Sequence, residues 1–318
     1  MLSTFIKSFS SLRTDKNRNR YPTFTTHRAP HKPLLLLSVM DLIAQGQITS
    51  SFVEPSLELL ETFNTYYARI MPPGSATSMA YPFSRLSTEG FWERLPRTGY
   101  DANIQYNVSS MKRLREVYYG ARLDEALFRF LCDPETRERL RAVLIQTYFT
   151  PDVHPVLLEQ GKVNYEAYEY SRLLVTDPEA GYRQESGEKS GRVRGQGFRK
   201  AIVNLYHHRC ALCGIRMLTP EGHTVVEAAH IVPWSRTHDD RPANGMALCR
   251  LCHWYFDEGL MGVGKKYEVL VSQRVQVEAN LPGHVLSLNE RRIVTPEEEP
   301  FWPAQENLAV HRKECYRA

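Results

Sequence analysis

CALCGIRMLTPEGHTVVEAAHIVPWSRTHDDRPANGMALCRLCHWYFD, residues 210–257, decides how the C-terminal half folds. Two Cys-x-x-Cys pairs bracket it, Cys210 with Cys213 and Cys249 with Cys252. One tight turn can present two thiolates to one cation, and two such turns close a tetrahedral four-sulfur zinc site. Four of the chain's six cysteines fall into these pairs, which speaks against an accidental distribution. A redox Cys-x-x-Cys would need only one pair. The zinc expected here is structural, because four thiolates leave no coordination position for water.

Reactive chemistry must then come from residues between and beside the knuckles. VVEAAHIVPW is apolar and β-branched and stops at Pro233, which predicts a strand with His230 near its end. LCRLCHWYFDEGL predicts a knuckle entering a helix that ends at Gly259. On that helix His253 and Asp257 stand at i and i+4, so they share a face and can hold one cation together. A divalent ion there (Mg2+, Mn2+, Co2+ or Ni2+) would polarise a phosphodiester. A neutral His230 facing it could take a proton from an attacking water. Asn244 lies between strand and helix, placed to hold the connecting loop or to orient the histidine.

EAAHIVPW…NGMALCRLCHWYFDEGL resembles the HNH nucleases, the ββα-metal fold, in the form common in bacterial restriction enzymes. The resemblance implies a DNA endonuclease with His230 as general base, Asn244 as the loop-fixing asparagine and His253 as a metal ligand. Many relatives carry Asp, Glu or His just before the base as a further ligand; here Ala229 stands there. Either Asp257 with water, or Glu227, would complete the shell. Strand alternation puts Glu227 and His230 on opposite faces, so Asp257 is the expected ligand.

The N-terminal half reads differently. HRAPHKPLLLLSVMDLIAQG, residues 27–46, predicts a core helix with Pro33 in its first turn and Gly46 at its stop. His27, Arg28, His31 and Lys32 gather at its start, where free N–H groups and the positive dipole end offer a seat for phosphate. The plain alternative is a solvated basic turn. A second helix is expected over 54–67, helices across 109–150, and a strand, turn and strand over 81–95, where aromatic and polar residues alternate around Glu89–Gly90.

HRAPHKPLLLL, then YPFSRL…GFW, then NVSS, in that order, resemble the DNA sulfur-binding domain of McrA-like type IV restriction endonucleases, over about residues 20–150. The resemblance implies double-stranded DNA as partner, with a phosphorothioate as the mark. Tyr81 and Pro82 would line a shallow apolar pocket for the sulfur, and His27, Arg28, Ser109 and Ser110 would contact the DNA. Physically, sulfur is larger, softer and less hydrated than the oxygen it replaces. A pocket without hydrogen-bond donors therefore favours it, since a buried oxygen forfeits its water bonds.

Composition sets the outer limits. The 318 residues are 42% hydrophobic and 24% charged with a net charge of +4, an ordinary soluble balance with room for two domains. No run approaches the roughly 18 apolar residues of a membrane span, and the first residues lack a secretory signal. Thiols reserved for a metal fit a reducing cytoplasm. Cys132 and Cys315 read as ordinary packing, and His311 with Arg312 as a solvated helix face. Basic clusters at 16–20, 27–32, 111–115, 192–200 and 311–317 suggest two contacts with one polyanion.

The expected architecture is α+β: a mainly helical DNA-recognition domain over 1–152, a helix (153–176) and flexible linker to 195, and an HNH domain over 196–318. Within the last, a helix is expected over 198–206, a closing hairpin from 265–275 and 284–294, and a terminal helix in 301–317. A single HNH site cuts one strand, so a homodimer would serve a double-strand break. Two other readings remain: an HNH restriction enzyme that reads methylcytosine or an unmodified sequence, and a zinc-stabilised DNA-binding protein without catalysis.

Overall fold

The chain opens with α1 (Leu2–Ser10) and turns into α2 (His31–Ala44), around which the first of two units is built. The computed structural model describes residues 1–318 apart from 102, 184–189, 277–279 and 281–282. The first unit comprises Met1–Tyr165 with Pro220–His223; the second comprises Glu166–Thr219 and Thr224–Ala318.

In α2 every residue from Lys32 to Ile43 is buried. Pro33 sits in the first turn, where its missing N–H costs nothing, and Gly46 follows the helix at φ +68°. Each leucine buried there is worth about 1.5–3 kcal/mol over an exposed one. Packed against α2 are α3 (Leu57–Ile70), α4 (Ala80–Arg85), α6 (Glu125–Cys132) and α7 (Pro134–Tyr148). The N-termini of α3 and α7 are capped by Ser56 and Asp133, whose side chains accept from Leu59 N and Thr136 N. At the centre of this apolar mass Asp41 accepts from Arg141 Nη2 at 2.9 Å, Tyr66 OH at 2.8 Å and Asn164 Nδ2 at 2.8 Å.

Two expectations for this unit fail. Residues 81–95 are not two strands: α4 and a 3-10 turn over Leu86–Glu89 precede one strand, β2 (Trp92–Pro96), with β1 (Phe52–Val53) earlier in the chain. Pro82 stands in the first turn of α4, and Phe83 and Leu86 at i and i+3 share its buried side, a helical spacing that local aromatic–polar alternation masks. Likewise the stretch read as helices across 109–150 includes a strand: after α5 (Met111–Val117) the chain enters β3 (Tyr118–Leu123). The sheet order is β1-β3-β2, antiparallel throughout. Gly120 permits the pairing, since a Cβ there would lie 2.3 Å from the Phe52 ring.

The helix α8 (His154–Thr176) supplies residues to both units. After the short α9 (Ala180–Arg183), α10 (Gly191–Leu205) starts earlier than the expected Phe198, because Ser190 caps it by accepting from Val193 N. Part of the expected linker, 184–189, lies outside the described residues. Gly197 lets α10 close on α8: a Cβ would sit 2.8 Å from both Ala167 O and the Tyr170 ring.

Strands β4 (Val226–His230) and β5 (Gly245–Cys249) then pair antiparallel, with Val226 opposite Cys249 and His230 opposite Gly245. Between them lies α11 (Trp234–Thr237), and α12 (Arg250–Asp257) follows and packs on both strands. Strands β6 (Met261–Val263) and β7 (Val269–Val271) form a hairpin. The second half of the expected closing sheet, by contrast, is a 3-10 turn over Val285–Leu288 with one bridge from Glu268 to Arg292.

Terminal helix α13 (Gln305–Glu314) buries His311 flat on Phe256, ring centroids 3.6 Å apart, rather than presenting it to solvent. Arg312 Nη1 donates to Val263 O at 2.7 Å. Cys132 and Cys315 are exposed, not packed. Among the described residues no helix is long and apolar enough to cross a membrane. The fold is α+β.

Candidate functional site

The four knuckle cysteines converge. Their Sγ atoms all lie within 4.8 Å of one another, and Cys213 and Cys249 are 3.8 Å apart. A tetrahedron with metal–sulfur arms of about 2.3 Å has edges of about 3.8 Å, so the cluster has the dimensions of a zinc site. Backbone bonds shape it: Cys210 N donates to Ile215 O, and Gly214 at φ +75° returns its N–H to Cys210 O. Ala211 N donates to Ala247 O and so ties the first knuckle to β5. Hydrogen bonds among the four thiols pull Cys213 and Cys249 below the ordinary thiol range and push Cys210 and Cys252 above it, as expected of sulfurs packed this closely. Among the described residues this is the one such group of three or more potential ligands.

Beside that clamp stand the three polar residues picked out by spacing. Asn244 is fully buried, and its side chain closes the loop between β4 and β5. Its Nδ2 donates to Val232 O and Asp239 O, both at 3.0 Å, and its Oδ1 accepts from Val232 N at 2.9 Å. His230, at the end of β4, lies flat on Phe198 with centroids 3.9 Å apart. Its Nε2 is 2.8 Å from Asp240 Oδ1. His253, in α12, has Asp257 Oδ2 3.5 Å from Nε2 and Glu227 Oε2 3.7 Å from Nδ1. Alternation set Glu227 aside, yet it joins Asp257 beside this imidazole. The two carboxylates stand at opposite ring nitrogens, so His253 can share one cation with only one of them. The two histidines thus engage separate acidic partners.

The first unit holds a cleft of about 570 Å3 that brings together His31, Lys32, Tyr81 and Pro82 with Arg13, Arg20 and Tyr21. Tyr81 is 53% exposed, whereas Pro82 is buried behind it. Ser84 is buried and donates to Tyr81 O, and Arg85 lays its guanidinium 5.1 Å over the Tyr81 ring. Lys32 forms a buried ion pair with Glu89 and donates to Thr88 Oγ1 at 3.2 Å. Burial lowers the His31 imidazole to about 4, so it is neutral at pH 7. His27 sits outside the cleft's lining at φ +54° with Nδ1 3.1 Å from Tyr21 O, and Arg28 lies 5.8 Å over the Tyr148 ring. Ser109 is exposed, and Ser110 caps α5 by accepting from Arg113 N.

Sequence reasoning missed Arg13 and Tyr21 in the cleft, and in the second unit Phe198, Asp240, Tyr170 and Arg194 around His230. Of these, Arg194 fell inside the basic cluster at 192–200 and Asp240 within the loop that leads to Asn244, the two that carried a local signal.

Over residues 210–264 the chain matches the HNH endonucleases, so the second unit carries a DNA endonuclease domain. Over residues 2–164 it matches the ScoMcrA-like DNA sulfur-binding domain. That match takes in just over half of the 318 residues, and the chain belongs to this family. Among solved structures it is similar to a modification dependent TagI restriction endonuclease, with 19% identity and a TM-score of 0.28. The likeness covers 42% of this chain and 40% of that one, under half the length of either. No curated protein matches the chain.

Proposed function

We propose that this protein is a modification-dependent endonuclease in which the first unit binds phosphorothioate-bearing double-stranded DNA and the second hydrolyses a phosphodiester. The observation that carries the reading is the union, in one chain, of a sulfur-binding-family unit with an HNH domain that holds His230, Asn244 and His253 on β4, the β4–β5 loop and α12.

At the cleft, Pro82 has no N–H, His31 is neutral and Lys32 is already paired. An ordinary phosphate oxygen brought against this wall loses water bonds and gains few, while sulfur loses less. Arg13, in the same lining, is left to meet a flanking phosphate, while Arg20 pairs with Asp15 at 3.5 Å.

In the nuclease unit Cys210, Cys213, Cys249 and Cys252 would hold a structural zinc ion. His253 and Asp257 would hold a divalent cation. When bound, that cation would neutralise charge developing on the phosphodiester. The chain's own part is proton removal: His230 accepts the proton of the attacking water, and Asn244 fixes the loop that aims it.

Two measurements test this. In a competition shift assay, a phosphorothioate duplex should displace the matched unmodified duplex; equal affinity would remove the sulfur claim. His230→Ala should cut cleavage by about 100- to 10,000-fold while leaving DNA affinity unchanged. Undiminished cutting would refute the base assignment.

A further inference from the structure

We propose that Asp240 is the positioning residue for His230, fixing its tautomer with the proton on Nε2 so that Nδ1 is the atom that receives the water's proton. This rests on the reading of His230 as general base.

The geometry is a convergence on one buried carboxylate. Asp240 is 1% exposed. Its Oδ1 lies 2.8 Å from His230 Nε2 and accepts from Arg194 Nη1 at 2.9 Å. Its Oδ2 accepts from the Tyr170 hydroxyl at 2.9 Å and from the same Arg194 Nη1 at 3.1 Å. The donors come from α8 and α10, elements remote in sequence from the loop that carries Asp240. A carboxylate accepts only, so the imidazole nitrogen facing it must carry hydrogen. Among the described residues Nδ1 of His230 has no hydrogen-bond partner, and the side chain keeps 20% of its surface exposed.

The backbone that carries the carboxylate is held. Asp240 N donates to Gly181 O at 3.2 Å, and Gly181 packs so closely that a Cβ would stand 2.7 Å from the Asp240 carbonyl carbon. On the other side Asn244 holds Asp239 O. Arg194 is fixed in turn, its guanidinium 3.9 Å above the Trp234 ring. With both oxygens occupied and a guanidinium alongside, Asp240 is a poor ligand for a divalent cation. It is an acceptor shaped for an imidazole N–H, and it stabilises the imidazolium formed when Nδ1 takes a second proton.

The test begins with the zinc-loaded full-length protein. Long-range 15N–1H correlation spectra at neutral pH, assigned with His230→Ala, should show the Nε2–H tautomer at His230. The Nδ1–H tautomer would overturn the proposal, whatever any variant does. Asp240→Asn keeps the shape but offers an amide. It should mix the tautomers and lower kcat on a phosphorothioate duplex by about 10- to 100-fold with KM and DNA affinity unchanged. If Asp240→Asn does not fold, as zinc content and melting would show, the wild-type spectrum decides alone. Full kcat and an unchanged tautomer in a folded Asp240→Asn protein, beside an inactive His230→Ala protein, would sink the role of Asp240 only. An active His230→Ala protein would sink the base reading beneath it.

Discussion

In the first unit two basic residues of the candidate sulfur pocket bring it no free charge: Lys32 is spent on Glu89, and His31 is held neutral among Tyr67, Phe63 and Tyr21. In the second unit each imidazole proposed to work has a carboxylate at a ring nitrogen, Asp240 for His230 and Asp257 with Glu227 for His253. On the proposed reading the contrast matches two different tasks. Discrimination between sulfur and oxygen needs a wall with little to offer a hydrated anion, whereas proton transfer and cation binding need charge held close by.

Their scaffolds differ in the same way. The first unit rests on a broad apolar core around a fully buried helix. Among the described residues the second has a smaller apolar core with two two-stranded sheets, each marginal alone, and its knuckles bring four sulfurs together beside β5.

The sharpest way to break this comparison is to strip the metal. A strong chelator, or Cys249→Ser, should remove about 10 kcal/mol or more of binding free energy from the second unit and abolish cleavage. Hydrogen exchange should then rise across β4, β5 and α12 while α2 stays protected; loss of protection in α2 as well would end the distinction. Next in size is Arg141→Ala, which leaves Asp41 buried without its countercharge. Breaking such a pair costs about 3–5 kcal/mol, so the first unit's melting transition should fall while zinc content stays constant. The smallest effect is titration of His31. Its imidazole is lowered by burial from 6.5 to about 4, so the unfolded chain binds the proton first. Its contribution to the first unit is full above pH 6.5 and drains away as pH falls towards about 4. Urea melts across that window should lose stability in the wild type and less in His31→Phe.

What could be read from sequence was what is local. The knuckles, the β4 strand and the α12 turn that sets His253 four residues before Asp257 are all written in short spacings. So is α2, with proline at its start and glycine at its end. The strand β3 could not be read this way, because Tyr118–Leu123 is extended only through β1 and β2, and Gly120 matters only once Phe52 lies across it. Alternation separated Glu227 from His230 but could not show which of the two His253 would approach. The Asp240 cluster was invisible for a related reason: Tyr170 and Arg194 reach it from helices that no spacing rule connects to the loop.

The two exposed thiols offer a practical opening. Cys132 lies in the first unit and Cys315 in the second, while three of the four knuckle sulfurs are buried and all four belong to the clamp. Maleimide dyes should therefore attach one to each unit without engineered cysteines. Energy transfer between the dyes would then follow, in real time, how the two halves respond when marked DNA arrives.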